Sequence, residues 1–541
     1  MISEFGLISP PNDGSHSTWK CLEIVDRNDD ILLNSENNLW YKILLNFPWK
    51  DYVPFAKKYY DALYDFNQNE ASKRANKDSE KEINPETKKE AQQRLLFERV
   101  TMQKEPETKS VIYENEAKER QYSTVNAHEI APGVVPTRAA GKKAKCFFSL
   151  FKAFLGATLM GFPAEPEKVY LLLQSNPSFM RVCEFAPNEK NDEYHYTHLP
   201  SLRKLEQFCK IMEEYGIWAA IKIKEVAENL KTGVIEMENV LVGDTTHYYA
   251  YSGFETVIYI DENGDEKKKS QSKVTKRCNC ENQDACEHPW ELADEGAGTI
   301  VKSNYKIYWG HKASIFCFPD QGIPLDVVAV SDASTHDGKT VYPHLEKLFA
   351  DYTGTGLKEN VKIVLYDSAA DDSNLKKKVE DDLGIELKTS LNPRGRKTIK
   401  ENLPRGMSEL TPYGNLICLG NYEFDYQCFR KANNRYTYMA PIDSEGIPVC
   451  QNCIHKSDCC PNAEGSRTVT IPIDLLPHID PNDPPMAKRF ENIMKKRPAV
   501  ERVIKRLKCD LSDPQLSKRG NMSFQAYLDE TLIGFHILLR S

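Results

Sequence analysis

The spacing of apolar residues changes past Gly233, and that change constrains the fold more than any other feature of the chain. From Lys142 to Leu230, the segments CFFSLFKAFLGATLMGFP, AEPEKVYLLLQSNPSFMRVCEF and LPSLRKLEQFCKIMEEYGIWAAIKIKEVAENL carry apolar residues at helical spacing. Turns at Gly161–Pro163, Asn176–Pro177 and Pro200 divide them into three or four amphipathic helices. After Gly233 the pattern becomes strand-like: ENVLVGDTTHYYAYS, SNYKIYWGHKASIFCF, IPLDVVAVSDAST and VKIVLYDSAA are rich in β-branched and aromatic residues. HLEKLFADYTG, between the last two, is helical in pattern. The order strand, strand, strand, helix, strand predicts a mixed sheet in an α/β core, preceded by a helical domain. About 130 turn-rich residues then separate VKIVLYD from the helical segment KKRPAVERVIKRLK at 495–508. That is too long for a loop and predicts an inserted β-rich subdomain.

At 541 residues the chain exceeds a single core, and length alone predicts three or four units. The expected division is an N-terminal helical region at 1–66 (WYKILLNFPW, DYVPFAKKYYDALYDF) and a Glu- and Lys-rich linker or solvated helix at 67–130. A helical domain with possible DNA contact follows at 131–235. The core would be built from 236–384 and 486–541, with the insertion at 385–485.

Segment 495–508 is mostly cationic and aliphatic, with Glu501 the one acid in it. On a helix Val500, Val503, Ile504 and Leu507 form an apolar stripe, while Arg497, Glu501, Lys505 and Lys508 share another face. Surface i,i+4 pairing, worth about 0.2–0.5 kcal/mol, accounts for such a pattern by itself. Two further acids end strands: Asp244 after NVLVG and Asp367 after VKIVLY. Turns favour Asp, so each alone is ordinary. Strand-end carboxylates beside a helix-borne acid are also what a two-metal phosphoryl-transfer site needs, because hard Mg²⁺ prefers oxygen ligands.

DTT at 244–246, GHKASI at 310–315, GIPLDVVAVSDASTHD at 322–337, VLYDSAADD at 364–372 and RPAVERVIKRLK at 497–508 occur in this order. Together they resemble the catalytic blocks of bacterial insertion-sequence transposases of the DDE class, in the branch with a β-rich insertion before the catalytic Glu. The family's last block runs Tyr, two residues, Arg, three, Glu, six, Lys. Arg497, Glu501 and Lys508 match it, with Met494 at the Tyr position. Relatives carry an aromatic shortly after the second Asp, where this chain has Ala369 and Ala370. The resemblance covers roughly 140–541. It implies an RNase H-like catalytic core, with Asp244, Asp367 and Glu501 as ligands of Mg²⁺ or Mn²⁺ and Arg497 and Lys508 on DNA phosphates. Lys505 joins them by helical geometry. Asp371 and Asp372 rival Asp367, which directly ends the apolar strand. The implied activity is cleavage of element ends and their joining to target DNA by two-metal phosphoryl transfer, on double-stranded DNA and as a homodimer. Two other functions fit the same residues: a metal-dependent nuclease of this fold that cuts without joining, and a catalytically decayed, zinc-containing DNA-binding protein.

Fifteen cysteines include two clusters. RCNCENQDACEHPW supplies Cys278, Cys280, Cys286 and His288; VCQNCIHKSDCCPN supplies Cys450, Cys453, His455, Cys459 and Cys460. Thiolate and imidazole suit Zn²⁺, so each cluster could close a site, or the two could share one. Basic stretches with Arg394, Arg396 and Lys397, and with Arg430, Lys431 and Arg435 among aromatics, suit phosphate contact and stacking. The net charge of −8 excludes a global basic field, so DNA contact must be local. MISEFGLISPPNDG lacks a basic-then-apolar run and CFFSLFKAFLGATLMGF is interrupted by Lys152. No secretory signal and no membrane span are therefore expected, and the expected location is cytoplasmic, at the nucleoid.

Overall fold

The computed structural model describes residues 38–79, 145–162, 164–185, 199–260, 266–272, 274–276, 291–303, 306–392, 394, 396–461 and 466–541. The linker reading for 80–130 and the cluster Cys278, Cys280, Cys286 and His288 lie outside them.

The helical part comprises α1 (Leu39–Leu45), α2 (Val53–Ser79), α3 (Phe147–Leu159), α4 (Pro166–Ser175), α5 (Pro177–Val182), α6 (Leu202–Glu214) and α7 (Ile217–Thr232). The Asn176–Pro177 turn separates α4 from α5 because the Asn176 side chain accepts from the Phe179 N–H while Pro177 fills the first helical position. Every residue of α3 is buried, Lys152 included. Its ammonium donates to Val182 O at 2.9 Å and to Glu184 at 3.0 Å, so one cation is tolerated in an apolar helix. Phe147, Phe151 and Phe154 pack with Tyr52, Tyr59, Phe208 and Trp218, so residues 44–62 share a core with 146–221. No helix among the described residues is long and apolar enough to cross a membrane.

The next segment forms β1 (Val240–Tyr249), β2 (Phe254–Ile260), β3 (Glu266–Ser272), β4 (Val274–Lys276), β5 (Glu291–Leu292), β6 (Gly298–Ser303), β7 (Lys306–Phe318) and β8 (Ile323–Ala329). Then come α8 (Gly338–Asp351), α9 (Leu357–Asn360), β9 (Ile363–Tyr366), α10 (Ser373–Leu383) and β10 (Glu386–Thr389). The result is a mixed sheet in the order β10-β9-β1-β7-β6, with β8 also on β7. β1 is antiparallel to β7 and parallel to β9, and β9 is parallel to β10. The strand-helix order read from sequence is present, with two strands added to the sheet, β6 and β10. β10 joins the sheet, so residues 386–389 stand with the core strands and not with the insertion.

The insertion folds as an antiparallel sheet of β11 (Met407–Leu410), β12 (Leu416–Cys418), β13 (Glu423–Arg430), β14 (Arg435–Met439) and β15 (Thr468–Pro472), in sequential order. Leu410, Leu416, Phe424, Tyr436, Tyr438 and Ile471 form its own core. The short helix α11 (Lys456–Cys459) lies in the β14–β15 connection.

The chain returns through α12 (Lys488–Met494), α13 (Ala499–Lys505), a π-helical turn at Arg506–Asp510, and α14 (Asn521–Leu538). The continuous helix expected over 495–508 is thus broken. Pro498 has no N–H to give a preceding carbonyl, so it ends one helix and opens the next. α14 serves two cores: Ala526, Ile533 and Ile537 join the helical part, while Phe524, Leu528, Leu532 and Phe535 join the sheet.

Candidate active site

β1 and β9 place the two strand-end acids. Their parallel register ends with Val242 opposite Leu365. Two residues further along β1 stands Asp244, and Asp367 follows the last residue of β9, at the end of the neighbouring strand. The opposite face of this end is tightly packed. A side chain at Gly243 would run into the rings of Phe316 and Tyr366, so glycine is required one residue before Asp244. Tyr366 is fully buried there. Burial, and after it the negative charge of Asp244, holds its phenol well above its ordinary range.

α13 brings the third acid. Val500, Val503 and Leu507 are buried in the sheet's core, at about 1.5–3 kcal/mol for each fully buried side chain. That packing seats the helix against β1 and turns its charged side to Asp244. Arg497, in the turn before the helix, bridges two carboxylates: Nη2 donates to Asp244 Oδ2 at 3.0 Å and Nη1 to Glu501 Oε1 at 2.7 Å. Asp244 and Glu501 therefore reach one guanidinium. The Arg497 Nε donor is buried without a partner. Asp244 is anchored from its other oxygen, which accepts from the Thr245 N–H at 2.8 Å.

Lys508 also docks on β1. Its ammonium donates to Thr246 Oγ1 at 3.2 Å and to the His247 carbonyl, and lies 4.7 Å from the centre of the Tyr248 ring. The π-helical turn carries it there, although the α-helical face drawn from sequence does not continue to it. Lys505 is exposed on α13. Thr246 and Tyr248, which seat Lys508, were not singled out by sequence. Their only signal is that they alternate with Asp244 along the strand.

The rivals of Asp367 are engaged elsewhere. Asp371 accepts from Lys376, Arg396 and the Asn392 N–H at 2.7–2.9 Å. Burial opposes its charge, but these bonds outweigh it and lower its carboxyl to about 2. Asp372 caps α10, accepting from the Asn374 and Leu375 N–H groups. Asp367 accepts from the Ala369 N–H at 2.9 Å in a tight turn and is half-buried. That turn explains the small residues after it. Ala370 is fully buried, so an aromatic at 370 has no space. Met494 packs against the sheet's core.

A serine, an aspartate and a histidine also meet under β7, but not as a nucleophilic set. Asp294 takes the Ser252 hydroxyl at 2.7 Å and His311 Nε2 at 2.9 Å on separate oxygens. The serine faces the acid and not the base, which removes its activation.

In the insertion, Cys418, Cys450, Cys453, His455, Cys459 and Cys460 line one small cavity. Burial, and next the charges of Cys460, Cys459 and Cys418, push the Cys450 thiol up. All the described cysteines are free thiols. Among the described residues, no three His, Cys, Asp or Glu side chains already stand as a metal cage. This holds for the three acids, with Arg497 between two of them, and for the thiols.

No protein-family model matches the chain, and no curated protein matches it. Among solved structures it is similar to the piggyBac transposase in a cryo-EM structure of a synaptic complex with hairpin DNA. The TM-score is 0.30 and the identity 9%, over 79% of this chain and 70% of that one. A likeness that distant decides neither fold nor chemistry, which rest on the residues above.

Proposed function

We propose that the chain is a metal-dependent DNA-processing enzyme, a DDE transposase with an RNase H-like core whose acids are Asp244, Asp367 and Glu501. One observation carries this reading: Arg497 joins Asp244 and Glu501, from distant parts of the sequence, on one guanidinium, and Asp367 follows the end of the strand next to that of Asp244. The strand order, with a reversed second strand and parallel first, fourth and fifth core strands, is that expected of an RNase H-like sheet.

The residues fit Mg²⁺ or Mn²⁺ in kind, since the donors are hard carboxylate oxygens and the space between Asp244 and Glu501 already accepts a cationic group. When bound, such ions would polarise a phosphate and lower the pKa of a bound water. The chain's own residues supply the rest. The Thr245 N–H orients Asp244, and the Ala369 N–H orients Asp367. Arg497 neutralises the acids at rest and offers a planar fork for a phosphate once released from them. Lys508, set on the strand beside Asp244, fixes a second phosphate, and exposed Lys505 adds to the field. Double-stranded DNA is the substrate of this reading, at element ends and at the target. Its joining step calls for two copies of the chain.

The test is cleavage and strand transfer on DNA carrying the element's ends, with Mg²⁺ or Mn²⁺. Asp244→Asn, Asp367→Asn and Glu501→Gln are each expected to lose at least about a thousandfold in cleavage, roughly 4 kcal/mol of barrier, while end binding in a gel-shift assay survives. A fully active Glu501→Gln would overturn the assignment. Cleavage without joining would leave the nuclease.

A further inference from the structure

The segment between β14 and β15 lacks the means to hold itself. From Pro441 to Pro461 it contains turns and the four-residue α11, and Ile454 is 89% exposed. Yet Cys450 in this segment is only 7% exposed, and Cys418, from β12, is 6% exposed. The cavity they share with Cys453, Cys459 and Cys460 has a volume of about 10 Å³, the size of a single small ligand. Close approach is built into the backbone around it. A side chain at Gly420 would stand 3.2 Å from the Cys453 sulfur, and Gly406 abuts Cys459. The Arg467 guanidinium donates to the Cys459 sulfur. Five cysteines lining one small cavity are more than packing requires.

We propose that this subdomain is stapled by one zinc ion held by Cys418, Cys450, Cys453 and one thiol of the Cys459–Cys460 pair. Spacing alone offers only the C-x₂-C-x₅-C run. The fold adds Cys418, more than thirty residues upstream, and so makes the site a clamp between β12 and the β14–β15 connection. Among the described residues these sulfurs do not yet stand as a metal cage, so binding the ion would draw them together by rotation about their side-chain torsions. Four soft donors with no open position make a structural site, and its binding energy is folding energy for a segment without a core of its own. The inference does not depend on the transposase reading, and its test involves no DNA.

The experiment uses the full chain, purified reduced and without chelator. Zinc is measured per chain, and thiols are alkylated before and after a strong zinc chelator, then mapped by peptide mass. The expected result is that Cys418, Cys450, Cys453 and one of Cys459 and Cys460 become at least tenfold more reactive after chelation. Cys428, exposed on β13, should react at the same rate throughout. Loss of about one zinc per chain in a Cys450→Ser/Cys453→Ser variant, relative to the parent, counts for this site even if the 278–288 cluster holds another ion. Cys418→Ser should lower zinc retention in competition with chelator. Chelator-independent reactivity of these thiols, or unchanged zinc in the double variant, would overturn the proposal. Since the reactivity map needs no substitution, a variant that fails to fold does not blunt it.

Discussion

Two places in this molecule are built from the same three charges, one cation between two carboxylates, and their surroundings give them opposite roles. Arg497 bridges Asp244 and Glu501, whose side chains are 15% and 60% exposed. Lys222, on α7, bridges Asp326 of β8 at 2.5 Å and Asp529 of α14 at 3.2 Å, and there both acids are at most 2% exposed. In the interior nothing can replace the lysine. At the sheet end solvent reaches the pair, so water or, on the proposed reading, a metal ion can take the arginine's place. Burial, not residue type, separates a joint that holds elements together from a site that exchanges partners.

The largest expected effect therefore falls at the buried set. Lys222→Met leaves two carboxylates without their shared cation, and unfolding free energy should drop by about 3–5 kcal/mol in denaturant titrations. Burial pulls the Lys222 ammonium down, yet Asp326 and Asp529 outweigh it and hold it well above its ordinary value, while burial pushes the Asp529 carboxyl above its own. Combining Lys222→Met with Asp326→Leu and Asp529→Leu should recover most of the loss, because no buried charge then remains unpaired. A single substitution costing less than about 1 kcal/mol would erase the contrast with Arg497.

None of the buried set was legible in the sequence, and the reason is physical. Lys222 lies in WAAIKIKEVAENL, where it and Lys224 look like the wet side of an amphipathic helix. Its partners come from a strand about a hundred residues away and from the last helix. Only three-dimensional packing makes them neighbours. The acids at the sheet end were readable because each closes a local pattern: an apolar strand that stops at an acid, or an acid among cations on an amphipathic helix. The helix around Glu501 was misjudged in length. Pro498 and the π-helical turn reset its register, and the docking of Lys508 on Thr246 and His247 lies outside any local rule. α10 and β10 were missed for the opposite reason. Val379 is the one buried residue of α10, and β10 has four residues, too little pattern to detect.

A smaller effect follows from His536, at the edge of the buried set. Its Nε2 donates to the Pro324 carbonyl at 2.8 Å and its Nδ1 accepts from Asn229 at 3.1 Å, so the neutral ring fits. Burial lowers its pKa to about 4, against about 6.5 in an unfolded chain. As pH falls from 6.5 to 4, the unfolded chain takes up a proton that the folded one refuses. Folding stability should therefore decline, by roughly 3 kcal/mol in all at 1.36 kcal/mol per pH unit. Thermal melts across that range would show it, and His536→Gln should flatten this part of the profile. An unchanged slope would mean that other groups dominate acid sensitivity.

The smallest effect on stability should come from Arg497→Gln. Its ion pairs are partly solvated, one partner is mostly exposed, and the helix it precedes is seated by Val500, Val503 and Leu507 and not by charge. Unfolding free energy should change by less than about 1 kcal/mol. Binding should move in two directions at once. Without the guanidinium, Asp244 and Glu501 lose their internal counter-cation, so Mn²⁺ binding to DNA-free protein should tighten in titration calorimetry. DNA cleavage should nonetheless fall, because a phosphate contact is lost. A purely structural salt bridge would give the reverse pattern, with lower stability and no gain in metal affinity. The three acids would then have no claim to more than the surface pairing their sequence already explained.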